Sequence, residues 1–221
     1  HDDNDQFGGH DTGSVAWGID ATHGLRFTTS VGTAFKAPTF NELYYPFYGN
    51  PDLRPETSRS IEAGVAQRLS AWHWQLSAYQ TTIEDLITYD TTLFAANNLD
   101  SARIRGAELT AGATWEAWDV SAQATVADPR NRSSGNFDNL LPRRARQSAR
   151  VDLDRRIGAW HLGGTWIAEG GRWDDVANTL HVGGYATLDL RAQFDVTRDW
   201  SVLGEVRNVL DRAYETAAYY N

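Results

Sequence analysis

Tyr185-Ala186-Thr187-Leu188-Asp189-Leu190-Arg191-Ala192-Gln193-Phe194-Asp195-Val196 alternates without a break. Tyr185, Thr187, Asp189, Arg191, Gln193 and Asp195 share one side. Ala186, Leu188, Leu190, Ala192, Phe194 and Val196 share the other. A period of two is that of a β-strand, whose successive side chains point to opposite faces of the sheet. One face of such a strand can lie in an apolar medium and the other in a wet one. The same pattern recurs in Ser148–Arg156, Val120–Val126, Trp160–Trp166 and Ser60–Val65.

Composition narrows which apolar medium is meant. The chain has 221 residues, a net charge of -9 and a hydrophobic fraction of 41%, with a mean hydropathy of -0.50. It contains no run of about 18 apolar residues that could form a membrane helix. A transmembrane barrel passes that test, because only half of each strand faces lipid. With no cysteine, disulfides, thiol catalysis and thiolate metal sites are excluded. The acidic balance argues against nucleic acid as a partner. Methionine is also absent, even at position 1, and His1–Asp11 is a polar, Asp-rich stretch. The expectation is a processed chain, or one cut from something longer.

About ten strands are expected: Gly13–Asp20, Gly24–Lys36, Thr57–Leu69, Trp72–Tyr89, Leu99–Trp115, Trp118–Ala127, Arg143–Ile157, Ala159–Glu169, Tyr185–Val196 and Trp200–Leu210. Their connectors alternate between short and long. Ala21–His23, Ser70-Ala71, Glu116-Ala117, Gly158 and Thr197–Asp199 are tight. Ala37–Glu56, Asp90–Asn98, Asp128–Pro142, Gly170–Gly184 and the tail from Asp211 are long and rich in Gly, Pro, Asn and Asp. Tight turns at one end and long loops at the other are the asymmetry of an outer-membrane barrel. Trp72, Trp74, Trp115, Trp118, Trp160 and Trp200, six of the nine tryptophans, crowd the short turns. Indole favours the headgroup level, where its ring is half buried and its N–H stays wet. The predicted fold is an all-β, antiparallel, up-and-down transmembrane barrel. The competing reading of the same aromatics is the capped core of a soluble, carbohydrate-binding sandwich.

Four stretches go beyond pattern. They are Gly32–Tyr44, Gly49–Ser58, Ala102-Arg103-Ile104-Arg105-Gly106-Ala107-Glu108-Leu109, and Arg207–Thr216. Pro38, Pro51 and Pro55 cannot donate to a ladder and mark where pairing stops. Gly106 and Gly112 inside a strand fit a bulge or a close approach of another backbone, for which a lumen-filling domain is one candidate. Asn208 and Asp211 are expected to cap a strand end. Together, and in this order, the four stretches resemble the C-terminal part of a TonB-dependent outer-membrane receptor. With Leu141-Pro142-Arg143-Arg144-Ala145-Arg146-Gln147 the resemblance is nearest the cobalamin (vitamin B12) receptor branch. It implies that residues 1–221 are the C-terminal part of a barrel of about twenty-two strands. The plug domain, the TonB-binding box and the final strand would then lie outside this chain.

Substrate binding at the extracellular mouth follows from the resemblance. Cobalamin has an amide-rich rim and a phosphate, so its mouth should offer aromatic faces, amides and a few cations. Tyr44, Tyr45, Phe47, Tyr48 and Asn50 supply the first two kinds, and Arg143 and Arg144, at the mouth end of a strand, supply the third. The expected substrate-binding set is Tyr44, Tyr45, Tyr48, Asn50, Arg143 and Arg144. The alternative for the tyrosines is an extracellular aromatic belt, and for the arginines, pairing with acidic lumen or plug residues. Expected partners are membrane lipids and lipopolysaccharide, cobalamin or a ferric siderophore, and the plug and TonB through other segments. No cofactor or metal is implied. The histidines are scattered, Asp2, Asp3 and Asp5 lack a completing Gly turn and Glu, and nothing separates the pKa values of Glu84-Asp85 or Asp174-Asp175 for acid–base work. The reading is of a bacterial outer-membrane transporter part rather than an enzyme. A ferric-siderophore receptor, or a passive ten-strand pore, is the alternative.

Overall fold

A computed structural model describes residues 1–90 and 92–218. Thr91, inside the expected Asp90–Asn98 loop, and residues 219–221, at the end of the expected tail, lie outside the described residues. Ten strands form one antiparallel sheet. They are β1 (Ser14–Asp20), β2 (Leu25–Lys36), β3 (Glu56–Arg68), β4 (Trp72–Asp90), β5 (Ala95–Trp115), β6 (Trp118–Asn131), β7 (Gln147–Ile157), β8 (Trp160–Glu169), β9 (Tyr185–Asp195) and β10 (Ser201–Val206). Each pairs with the next in sequence, and β1 and β10 are the two edges. This is the up-and-down order expected from the alternation, and among the described residues no helix is long and apolar enough to cross a membrane.

Register carries the face assignment from strand to strand, because directly opposed residues share a side. Leu190 of β9 faces Gly164 of β8 and Val206 of β10, while Arg191 faces Gly163 and Glu205. Val15, Trp17, Ile61, Leu76, Leu109, Val120, Leu153, Trp166 and Leu190 are all exposed on the apolar side. Side chains of that size left open across a whole sheet are a surface meant for an apolar solvent. At its short-turn edge lie Trp72, Trp115, Trp160 and Trp200, each at least 42% exposed. Trp118 carries the Arg155 guanidinium 4.7 Å above its ring.

The opposite face is polar and internally bonded. Thr165 donates to Asp152 at 2.6 Å, Arg150 binds Asp152 with two bonds at 2.7 and 2.8 Å, and Arg191 binds both Asp154 and Thr165. Gly163 lies under that pair. A Cβ there would stand 2.3 Å from an Asp154 oxygen and 2.5 Å from Arg191 Nε, so glycine leaves the room the ion pair occupies.

Several expectations change, β6 running on past Ala127 to Asn131 and β10 ending at Val206 rather than Leu210. The bulge read at Gly106 and Gly112 is absent, since the β4–β5 register runs through both positions. The close approach comes from side chains instead: the Tyr79 ring fills the space over Gly106 and the His73 ring the space over Gly112. The long loop read at Asp90–Asn98 is mostly ladder, paired up to Asp90 opposite Ala95. Lastly, β7 begins at Gln147 and not at Arg143. The cap read at Asn208 is present: its side chain bonds the backbone of Arg212 in both directions, and its N–H donates to Asp189 at 2.7 Å.

Candidate functional site

The long-loop end is organised by the β4–β5 hairpin. With 19 and 21 residues, these strands far exceed the roughly 9–11 residues a tilted strand needs to cross a bilayer. The surplus projects as a scaffold, and loops pack on it in two clusters. Leu43 and Leu53, from the loop between β2 and β3, bury against Ile87 and Ala96, with Tyr48 alongside. Leu141, from the loop between β6 and β7, is fully buried with Leu86 and Ala102.

The β2–β3 loop folds over a short helix, α1 (Phe40–Tyr44), closed by a capping box between Thr39 and Glu42. The Thr39-x-x-Glu42 spacing is the sequence signature of that box and could have disclosed the helix. Lys36 donates to Glu42 at 3.1 Å and to Glu56 at 3.0 Å, fastening both ends of the loop. Burial works upward on the Glu42 carboxyl, yet the Thr39 amide and the Lys36 ammonium together leave its pKa lowered. Asn50 braces the loop: one amide N–H donates to the Ala96 carbonyl at 3.1 Å, and its oxygen accepts from Asp52 N at 3.0 Å. Tyr44 and Tyr45 are 49% and 58% exposed, and Phe47 is fully exposed.

Tyr48 stacks on Tyr89 with centroids 5.9 Å apart, and the Arg143 guanidinium sits 5.4 Å from the other ring of that stack, Tyr89. Burial pushes the Tyr48 hydroxyl above its ordinary pKa. Arg143 does not stand on a strand. Its φ is 57°, in a turn that follows Pro142, and its N–H donates to the Trp173 carbonyl at 2.6 Å. The anchoring of Leu141 and the missing donor at Pro142 hold the chain off the ladder here. The Arg143 fork binds both oxygens of Asp174 at 2.8 and 3.2 Å. The Asp174 side chain is 4% exposed and that of Arg143 41%, so the carboxylate is covered while part of the guanidinium faces out. Arg144 is exposed.

The loop between β8 and β9 closes this corner. Asp175 accepts from Thr179 and Leu180 amides at 2.8 to 3.1 Å. Those bonds outweigh burial and lower its pKa. Asn178 bonds the Leu140 backbone in both directions, at 2.7 and 2.9 Å. The structure thus gathers Tyr48, Asn50 and Arg143 around one hairpin, with Tyr44, Tyr45 and Arg144 on exposed loop surface. Sequence reading missed Tyr89, Asp174 and Trp173. Only the Arg143-Arg144 and Asp174-Asp175 doublets, opposite in charge on neighbouring loops, hinted at the pair. Among the described residues no group of three or more His, Asp or Glu converges to hold a metal.

Comparison with known proteins places these features. Residues 1–209 match the family described as TonB dependent receptor-like, beta-barrel. A vitamin B12 transporter of Photobacterium profundum is 35% identical over 100% of this chain and 37% of its own length. One from Vibrio vulnificus is 35% identical over 98% of the chain and 35% of its own. The chain therefore spans little more than a third of these relatives. Among solved structures, the ferric yersiniabactin uptake receptor of Yersinia pestis superposes with a TM-score of 0.79 at 23% identity, over 94% of this chain and 33% of that one. A copper transporter superposes with a TM-score of 0.76 at 24% identity, over 92% and 34%; both are likenesses of fold. With its ten-stranded up-and-down sheet, apolar outer face and polar inner face, the chain belongs to the TonB-dependent receptor β-barrel family of the bacterial outer membrane.

Proposed function

We propose that this chain is a C-terminal portion of the barrel wall of an active transporter that binds cobalamin at its extracellular mouth. Import would be driven through TonB, with the plug and the TonB-binding segment supplied by other parts of the protein. The observation that carries this reading is the identity to vitamin B12 transporters along the whole chain. The likeness to siderophore and copper proteins stays at the level of fold. A ferric-siderophore receptor is the second reading, favoured by the siderophore receptors among the neighbours in fold.

The proposed contact set is Tyr44, Tyr45, Tyr48, Asn50, Arg143 and Arg144. Exposed Tyr44 and Tyr45 offer rings to the corrin face, and Arg144 offers a cation whose fork is open to the ligand phosphate. Asn50 and Arg143 have an additional duty, since both also hold loops together. Outside, the apolar face meets lipid and its upper rim meets lipopolysaccharide.

Uptake tests the proposal. Cells lacking their own cobalamin receptor and carrying the full-length protein should accumulate labelled cyanocobalamin, and only with TonB and the proton gradient intact. Failure to accumulate it, or accumulation without TonB, would overturn the reading.

A further inference from the structure

The apolar outer face ends at a row of arginines. On β5 the outer residues run Trp115, Ala113, Ala111, Leu109 and Ala107, then Arg105 and Arg103. On β6 they run Trp118, Val120, Ala122, Ala124 and Val126, then Asp128 and Arg130. On β3, Val65, Ala63 and Ile61 are followed by Arg59. Pairing sets Arg59 opposite Thr82, Thr82 opposite Arg103, and Arg103 opposite Arg130. Three arginines therefore lie in one transverse row over four strands, with Arg105 one step below the row on the same face. Strands about 4.8 Å apart put Arg103 beside Arg130 and within about 10 Å of Arg59.

Depth identifies the level of that row. A strand rising about 3.3 Å per residue and tilted about 40° climbs roughly 2.5 Å per residue. Ten residues separate the indole of Trp115 from Arg105, giving about 25 Å, the height of the apolar band of an outer-membrane barrel. The tryptophans mark one interface, and the arginines stand at the other, on the long-loop side where the outer leaflet's headgroups lie.

Cations opposed across a ladder repel one another, and this row is only partly neutralised within the protein. Arg130 is held by Asp128 at 2.8 Å and by Asp138, whose carbonyl lies at 2.7 Å and carboxylate at 3.9 Å. Asp128 is shared with Arg146 at 3.5 Å, and Arg105 bonds the neutral Gln80 at 2.6 Å. Among the described residues, no carboxylate pairs with Arg59 or Arg103, and the buried Arg103 Nε has no hydrogen-bond partner. Glu84 also lies on this face, one step above, and does not reach either. We propose that Arg59, Arg103, Arg105 and Arg130, with Thr82 and Gln80 between them, bind the phosphate-bearing headgroup of lipopolysaccharide in the outer leaflet. Guanidinium forks match phosphate oxygens two at a time, and acyl chains below would lie along Ile61, Leu76, Leu109 and Val126. The site rests on the outer-membrane placement of this wall and is independent of which ligand enters the mouth.

The test uses the full-length receptor, purified and stripped of lipid, with native mass spectrometry measuring retention of bisphosphorylated lipid A and of dephosphorylated lipid A. The wild type should hold the phosphorylated form at least about tenfold more tightly, the loss expected for charge-assisted bonds. Arg59→Gln with Arg103→Gln should abolish that preference, whereas Arg198→Gln at the short-turn end should keep it, and both proteins should still bind cyanocobalamin. Equal retention of the two lipids by the wild type needs no variant to fold and would overturn the proposal. Persistence of the preference in the double variant would overturn it as well. So would full competition by millimolar inorganic phosphate, which would make the row a site for soluble anions. Cyanocobalamin binding lost with lipid preference intact in the wild type would count against the mouth reading alone.

Discussion

Exchanging Leu190 for arginine separates the two faces of the sheet most cleanly. Leu190 stands at the middle of β9, 45% exposed on the apolar side, between Gly164 and Val206. The aromatic level on this strand is Phe194, whose ring packs on Trp160 at 4.7 Å. Four residues at roughly 2.5 Å each put Leu190 about 10 Å into a band about 25 Å tall, near its midplane. An arginine there should cost about 2–4 kcal/mol. Its neighbour Asp189 points to the wet side and accepts one hydrogen bond, from Asn208 N at 2.7 Å. Asp189→Arg loses that bond and adds a cation near Arg191, a cost of about 1.5 kcal/mol, the lower end for a bond to a charged acceptor because this side is wet. Equilibrium refolding of the full-length receptor into lipid vesicles, followed against denaturant, would measure both. Equal losses at the two positions, or a larger one at Asp189, would refute the assignment of faces.

Arg143→Ala leaves a buried Asp174 carboxylate without its partner, so opening of this corner should become easier by about 1.5–3 kcal/mol. Hydrogen exchange at Asp174 N, bonded to Leu180 O, would report it, cobalamin affinity should fall with it, and adding Asp174→Asn should restore most of the protection. Lowered carboxyl pKa values at Glu42 and Asp175 mean that their contribution to loop order is present above the ordinary carboxylate range. It is lost as pH falls through the lowered values. Proteolysis of the mouth loops should therefore rise at acidic pH, and unchanged susceptibility would count against these bonds. Gly163→Val should displace the Arg191–Asp154 pair and lower the melting temperature, while Gly164→Ala, where a Cβ meets only ordinary contacts, should be nearly neutral. Equal effects would contradict the crowding described at Gly163.

Period-two alternation made the strands legible, because register in a two-faced sheet is fixed by which residues must avoid water. Trp72, Trp118 and Tyr185 each begin a strand where expected for that reason. β4 was read to within one residue of its end at Asp90, but the start of β5 at Ala95, four residues before the expected Leu99, was not legible. Outside lipid both faces of a hairpin meet water or loops, and the sequence Tyr89–Asn98 loses its two-faced contrast. The mouth was half legible. Tyr48 and Asn50 belong to one loop and were found together, as neighbours in sequence are. The Arg143–Asp174 pair and the Tyr48–Tyr89 stack join residues about thirty to forty positions apart, and no local pattern records such meetings. Arg143 itself was placed on a strand because alternation cannot sense a left-handed turn set by distant anchors such as Trp173.

The most direct test of the account is equilibrium binding of cyanocobalamin by the full-length receptor, measured beside a panel of ferric siderophores. Tight, saturable binding of cyanocobalamin, undisturbed by excess siderophore and weakened by Arg144→Ala, is the predicted result. Binding of a ferric siderophore with no measurable affinity for cyanocobalamin would contradict it.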